Sequence, residues 1–504
     1  MPKHPDMKFL LGAFFVLILT TTSYGQSYQD ALRYSFVSPQ GSARFAGTGG
    51  SLTPLGVDLT TLHTNPAGIG WNRYNLAQVT PGFSFTGTSA FLDQSETGGS
   101  RSESAAAFTL PSIGVLLAGN TRSVNMSTLN FAISITRLAD YNQQLGFSGR
   151  TPGGLIEKFA EDDRDGIYDP FGSDLALPYL ITNNADGLNY SDFYNFATGE
   201  PYPGAIQREG LYDRRGSMSE AAVGFGGNYR ETLLWGISVG IPFYNYEQTY
   251  SYEEVDDADV IPAFDNTTYN ESLVSSGTGF NLKAGVTFLP TETVRVSAAV
   301  HTPTFWTMNE QFSTSFGYSY TENDTIFGGD EVSPISDYTY NLRTPWRFMA
   351  GVGTLVGTRG FVSIDADYAA YGSNVFSFDD FASADDVTDA ANADVDALLG
   401  SSLGVRLGGE LNVKPLQVRA GVGYRQVPWQ EYVNDEDQAI LTYSAGLGYS
   451  KGKFFADLAA QYESYSSFQY PYQTFAIRQS TALYDRSRVS VLLTVGFRGF
   501  SSGY

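Results

Sequence analysis

Residues 280–300 set the terms for what this chain can fold into. Phe280, Leu282, Ala284, Val286 and Phe288 alternate with Asn281, Lys283, Gly285 and Thr287. After a break at 289–293, Val294, Val296, Ala298 and Val300 alternate with Arg295, Ser297 and Ala299. A period of two with one apolar and one polar face reads as a β-hairpin. The pattern returns at 129–136, 362–368, 416–425 and 489–498. Alternation alone fits two architectures. A soluble sandwich turns the apolar face inward, and a membrane barrel turns it to lipid and the polar face to a lumen.

Segment length and connection length separate the two. The strands read as 76–91, 104–117, 124–138, 217–230, 232–250, 275–289, 293–315, 335–357, 360–374, 400–413, 415–429, 437–451, 453–468 and 487–500. Most have ten or more residues, enough for a tilted membrane crossing. Their connections alternate: short near 118–123, 231, 290–292, 358–359, 414 and 452, and long at 92–103, 139–216, 251–274, 316–334, 375–399 and 469–486, with 430–436 a modest member of the long class. A sandwich gives no reason for such alternation, whereas short periplasmic turns and long external loops are the layout of an outer-membrane barrel. The expected fold is all-β: a transmembrane antiparallel β-barrel of about 14 strands. An aromatic content of 14% suits the interfacial girdles of such a barrel.

The N-terminus reads as an address. Lys3, His4 and Lys8 precede an apolar run at 9–19, and Ser23 and Gly25 suit a cleavage site that leaves Gln26 as the first mature residue. Residues 1–25 are therefore expected to be a signal peptide. About fifty Gly-rich residues, 26–75, then precede the first strand, with the barrel proper over 76–504 and a long insertion at 139–216. This leading segment is expected to fold back into the lumen as a plug, and the barrel to sit in the outer membrane with both termini periplasmic.

Composition narrows the chemistry. A net charge of −23 argues against a nucleic-acid partner. There is no cysteine, so thiolate metal sites are excluded. His63 and His301 are the only histidines beyond residue 25. Neither has an obvious partner pattern, so no enzyme, metal or cofactor is expected. Residues 161–166 echo the start of a calcium loop, but its twelfth position would be Gly172 rather than Glu. The acidic run with Asp379, Asp380, Asp385, Asp386, Asp389, Asp394 and Asp396 reads as a solvated loop, with cation bridging to lipopolysaccharide as the alternative.

The stretch 43–58 (ARFAGTGGSLTPLGVD), the Asn65-Pro66-Ala67-Gly68 motif just before the first strand and the strand count together resemble the FadL/TodX family of outer-membrane transporters. Segments 215–229, 276–291, 301–305 and 342–353 are similar to a branch from Bacteroidetes-type bacteria. The resemblance implies a lumen plug, or hatch, to which Asn65, Pro66, Ala67 and Gly68 belong. It implies passive uptake of hydrophobic small molecules, long-chain fatty acids or aromatic hydrocarbons, through a loop groove, a lumen pocket and a sideways gap in the wall. Ligand-binding candidates are Phe171, Leu177, Tyr179 and Leu180, with Leu175 and Ile181 beside them, in the insertion. Arg295 and Arg419, from a lumen face that also offers Lys283, Arg406, Arg425 and Arg498, could hold a carboxylate. The expected partners are a hydrophobic ligand, membrane lipid and lipopolysaccharide, and the expected state is a monomer. A secretion-shuttle or structural barrel and haemin uptake are the rival readings, with the scarcity of His set against haemin.

Overall fold

The computed structural model describes residues 28–95, 99–121, 123–165, 173–378, 384–430, 439–472 and 480–499. The expected signal peptide, Asp379, Asp380 and the end of the calcium-like loop lie outside them.

Fourteen antiparallel strands close into a barrel. They are β1 (Leu76–Leu92), β2 (Arg101–Asn120), β3 (Met126–Asp140, continued by Gln143–Pro152), β4 (Ala205–Tyr229), β5 (Leu233–Val255) and β6 (Phe264–Phe288). Next come β7 (Val294–His301 and Phe305–Glu322), β8 (Ser336–Arg343 and Arg347–Leu355) and β9 (Gly360–Ala370 and Val375–Phe378). The circuit finishes with β10 (Ser401–Val413), β11 (Leu416–Gln426), β12 (Ala439–Lys451), β13 (Phe454–Gln469) and β14 (Ala482–Arg498). Each pairs with its sequence neighbour, and β14 pairs with β1 from Leu76↔Arg498 to Leu92↔Ala482. Closure leaves no sheet edge in the hydrocarbon.

The apolar face points out. Phe280, Leu282, Val286 and Phe288 are exposed, whereas Asn281, Lys283 and Thr287 are buried. That inversion excludes the sandwich, whose apolar face would be the buried one.

Several strands run beyond the expected limits. β3 continues to Pro152 and β4 starts at Ala205, so the insertion between them shrinks from 139–216 to 153–204. Above the membrane neither face of a strand meets lipid, so the apolar alternation that marks a crossing fades there. β7 and β8 break at 302–304 and 344–346, where Pro303 and Pro345 cannot donate to the ladder. Thr344 N–H still donates to the Thr304 carbonyl at 3.0 Å, and Thr304 N–H to Thr344 Oγ1 at 2.8 Å, which holds the wall together across the breaks. The long connections carry structure of their own, including helix Leu155–Asp165, hairpin strand Thr325–Val332 and the acidic helix Ala384–Leu398. Phe147, Phe159, Phe193, Phe264, Phe316 and Tyr318 form an aromatic core above the barrel mouth.

The lumen is filled from the N-terminus. Helices α1 (Tyr28–Ser35) and α2 (Ala43–Gly47) and 3-10 turns Leu59–His63 and Pro66–Trp71 lie inside. Of residues 40–70 all but Arg44 and Val57 are buried. The wall admits this plug by presenting glycines where the plug backbone touches it. A Cβ at Gly446 would meet the Gly47 Cα at 3.2 Å, and one on the plug's Gly70 would meet the Gly227 carbonyl oxygen of the wall at 2.6 Å. At Gly408, Gly421, Gly236 and Gly285 a Cβ would collide with Thr48, Gly49, Pro66 and Asn65 respectively.

Candidate functional site

The 65–68 motif is the point where the plug is pinned. Asn65 stands in extended geometry (φ −119°, ψ 99°), as a residue before proline should. Its Oδ1 accepts from Ala67 N–H at 3.1 Å and caps the turn that Pro66 opens. Its Nδ2 donates to the Thr53 carbonyl at 3.0 Å and to Thr287 Oγ1 of β6 at 3.2 Å. Ala67 is fully buried, and a Cβ at Gly68 would meet the Gly56 Cα at 2.9 Å. The motif is thus tied to the plug's own chain and to the wall.

A buried polar cluster forms a second tie. His63 Nδ1 lies 2.7 Å from Glu220 Oε1, and His63 Nε2 lies 2.9 Å from Ser134 Oγ. Glu220 also accepts from Lys283 Nζ at 2.6 Å and from Asn281 Nδ2 at 2.8 Å. His301 Nε2 is 2.6 Å from the Thr64 carbonyl. The sequence showed no partner pattern for either histidine because the partners of His63 are on other strands, 71 and 157 residues away, and that of His301 is in the plug. The spacing is that of a Ser–His–acid relay, but a nucleophile needs room for a substrate atom about 3 Å away. The small cavity beside His63, about 50 Å³, is lined by Glu220 and Lys283 and not by Ser134. Burial lowers the His63 pKa and favours a neutral ring. The cluster serves as a latch between plug, β3, β4 and β6.

Above the plug lies a cavity of about 320 Å³. Leu32, Phe36, Phe45, Leu138, Trp429 and Phe468 supply apolar surface. Its ionic lining is six arginines, Arg33, Arg214, Arg406, Arg425, Arg486 and Arg488, against three acids, Asp140, Asp367 and Glu463. Asp367 is shared by Arg406 at 2.6 Å and Arg425 at 3.2 Å, and Arg488 pairs with Glu463. Arg214 bonds the amide oxygens of Gln248 and Gln469, each at 2.9 Å, and Arg486 bonds Tyr465 Oη at 3.0 Å. Among the described residues no acceptor meets the Nε–H groups of Arg406, Arg486 and Arg488, which expose almost no surface to the cavity.

The same cavity touches a seam in the wall. The β2–β3 ladder ends at Ser112↔Thr136, next to Pro111, which has no amide proton. Beyond that rung, residues 101–110 of β2 pair with β1 alone, and the inward-facing Ala105 and Ala107 are only half-buried. Across the seam, the Leu138 and Arg137 carbonyls accept from Ser38 N–H at 2.8 Å and Gln40 N–H at 3.0 Å of the plug. Residues 38–40 and 138–140 also line the cavity. Three plug residues therefore stand between the cavity and an interrupted wall.

The sequence-predicted ligand residues fall elsewhere. Phe171 lies outside the described residues. Tyr179 and Leu180 pack on the outer aromatic core, Tyr179 with its ring 5.1 Å from Tyr318, and Leu177 is exposed. Arg295 donates to the Leu55 carbonyl at 2.9 Å and stacks on Trp71, and Arg419 bridges Glu410 and Asp457 at 2.7 and 2.6 Å. Both are occupied with the plug seat and neither lines the cavity. Of the cavity cations missed in advance, Arg214, Arg486 and Arg488 lie in segments read as loop or strand end, and Arg33 lies in the plug segment, where no alternation marks a facing side. Among the described residues no cluster of His and acids of metal-binding composition occurs.

No family model matches the chain, and no curated protein does. Solved structures do. The toluene transporter TodX of P. putida is 10% identical, with a TM-score of 0.50 over 92% of this chain and 99% of that one. A Pseudomonas aeruginosa FadL homologue is 11% identical, with a TM-score of 0.52 over the same shares. At these identities the likeness is one of fold: a 14-strand barrel with its N-terminal segment in the lumen.

Proposed function

We propose that this chain, built on the FadL-type plugged barrel, is an outer-membrane channel for passive uptake of hydrophobic small molecules, and that its preferred ligand is an amphipathic acid of the long-chain fatty-acid type. The observation that carries the choice is the cavity lining: apolar side chains beside a twofold excess of arginine over acid. A carboxylate can accept charge-assisted bonds from these guanidinium groups, while its chain covers Phe36, Phe45 and Leu138. A bare aromatic hydrocarbon would leave the excess positive charge without a partner. Haemin is less well served, because, of His, Tyr and Met, the lining offers only tyrosines as an axial ligand, and Tyr465 already accepts from Arg486.

Entry is from the long-loop end and exit is sideways through the β2–β3 seam. Ser38–Gln40 act as the seam's cover, because they replace β2 as the hydrogen-bond partner of Arg137 and Leu138. Asn65 to Gly68 hold the plug while this segment moves. The test is uptake by lipid vesicles carrying the purified barrel, with a long-chain fatty acid, a monoaromatic hydrocarbon and haemin compared. Saturable uptake of the acid, reduced roughly tenfold by Arg486→Gln with Arg488→Gln, is expected from the loss of one or two charged hydrogen bonds. Hydrocarbon uptake without acid uptake refutes the ligand, and no uptake above empty vesicles refutes the channel.

A further inference from the structure

The outer wall carries a groove that the lumen leaves unused. Cross-strand register places one continuous rung across six strands: Lys451 (β12), Phe454 (β13), Phe497 (β14), Ala77 (β1), Val115 (β2) and Ile133 (β3). The next rung outward from the turns runs parallel to it, from Tyr449 to Ile135. Between them lies a shallow, open depression of about 850 Å³, almost wholly apolar, with Ala77 and Ala456 low between larger neighbours.

The groove climbs. Lys451 and Phe454 close the β12–β13 turn, whereas Ile133 is seven residues into β3. Seven residues of a strand tilted near 45° rise about 16 Å, against about 15 Å for half of a bilayer core. One end thus lies at headgroup level and the other near the bilayer midplane. The headgroup end is basic in a chain of net charge −23. Segments 411–418, 447–456 and 494–499 contain Lys414, Lys451, Lys453 and Arg498 and no Asp or Glu. Three of the five lysines after residue 25 are here. Lys453 sits 5.9 Å over the Phe497 ring, at the groove's mouth.

We propose that this groove is a binding site for one anionic glycerophospholipid of the leaflet at the short-turn end. An acyl chain lies along the two rungs, and the phosphate sits between Lys451 and Lys453. The length matches one leaflet, the floor is apolar, and the only charges at the mouth are positive. The site does not depend on what the lumen carries.

The test uses the full barrel in nanodiscs doped with a photoactivatable phosphatidylglycerol, or with a phosphatidylcholine of identical chains, and crosslinks mapped by mass spectrometry. Labelling by the anionic probe is expected to concentrate at Val79, Ile113 and Ala456, above the level at Phe280 and Val296 on the far wall. Lys451→Glu with Lys453→Glu is expected to lower it roughly thirtyfold, from about one decade or less per lysine near the surface. Ala456→Trp, which fills the floor from the lipid side, should abolish it. Heat-modifiable gel migration confirms that each variant is a folded barrel. Labelling spread evenly over the wall, or equal labelling by both probes, overturns the proposal.

Discussion

Asn65→Ala removes three buried hydrogen bonds at once: the cap on Ala67 N–H and the donations to the Thr53 carbonyl and Thr287 Oγ1. At about 1 kcal/mol net for each, docking of the plug weakens by about 3 kcal/mol, a factor of about 150 in its opening equilibrium. The ladders of β1–β14 do not pass through Asn65, so the barrel itself should persist. Hydrogen exchange of residues 41–70 in the detergent-solubilised protein reads the change directly, with strand amides as the internal reference. Asn65→Asp sharpens the reasoning. Asp caps a helix as well as Asn does, so a motif that only capped the turn would tolerate it. An Asp side chain cannot donate to Thr53 or Thr287, and it brings a carboxylate to the Thr53 carbonyl, so docking should weaken at least as much as with alanine. Plug protection unchanged in Asn65→Asp, or strand amides lost in parallel with the plug, would refute the anchor.

Other expectations follow from the same contacts. Gly421→Val places side-chain atoms where Thr48 and Gly49 lie, and it should release α2 and raise exchange of residues 43–50. Glu220→Ala strands Lys283 and His63 together and should destabilise the plug by about 3–5 kcal/mol, clearly more than His63→Ala, which leaves the Glu220–Lys283 pair intact; thermal unfolding of both variants orders them. Glu157 accepts from Gly154 N–H at 2.9 Å near Arg208 and Glu254, and burial pushes its pKa up to about 7. A carboxyl raised in the folded state is destabilising once ionised, so helix Leu155–Asp165 should gain protection as pH falls from 8 to 6, beyond the intrinsic exchange rate. Glu157→Gln should abolish that dependence.

Strand-level features were legible because the bilayer imposes a strict rule: within it, every second residue must be apolar. Val362–Tyr368 and Leu416–Tyr424 obey that rule, and their strands were placed to within a residue at the start and three or four at the end. Outside the bilayer the rule lapses, and Gln143–Pro152, Phe264 onward and Thr325–Val332 read as loop although they are strand. The plug motif was legible because proline and glycine carry their backbone geometry with them. The cavity was not. Arg486 and Arg488 are ordinary polar positions until β14 meets β13, and whether Arg419 or Arg488 faces ligand depends on which carboxylate lies across the lumen. The latch of His63 with Ser134 and Glu220 is a contact of chain topology, invisible at any short spacing.

The glycine seat has a consequence for how such a barrel is made. A wall with bare backbone at Gly236, Gly285, Gly408 and Gly421 has no side chains there to fill the space if the plug is absent. Removing residues 26–75 should therefore yield a slack cylinder with voids along its inner surface, slow to close and sensitive to heat, and not an open porin. The N-terminal segment is thus expected to act as the mandrel on which the strands are wound, the part around which the last strand finds the first.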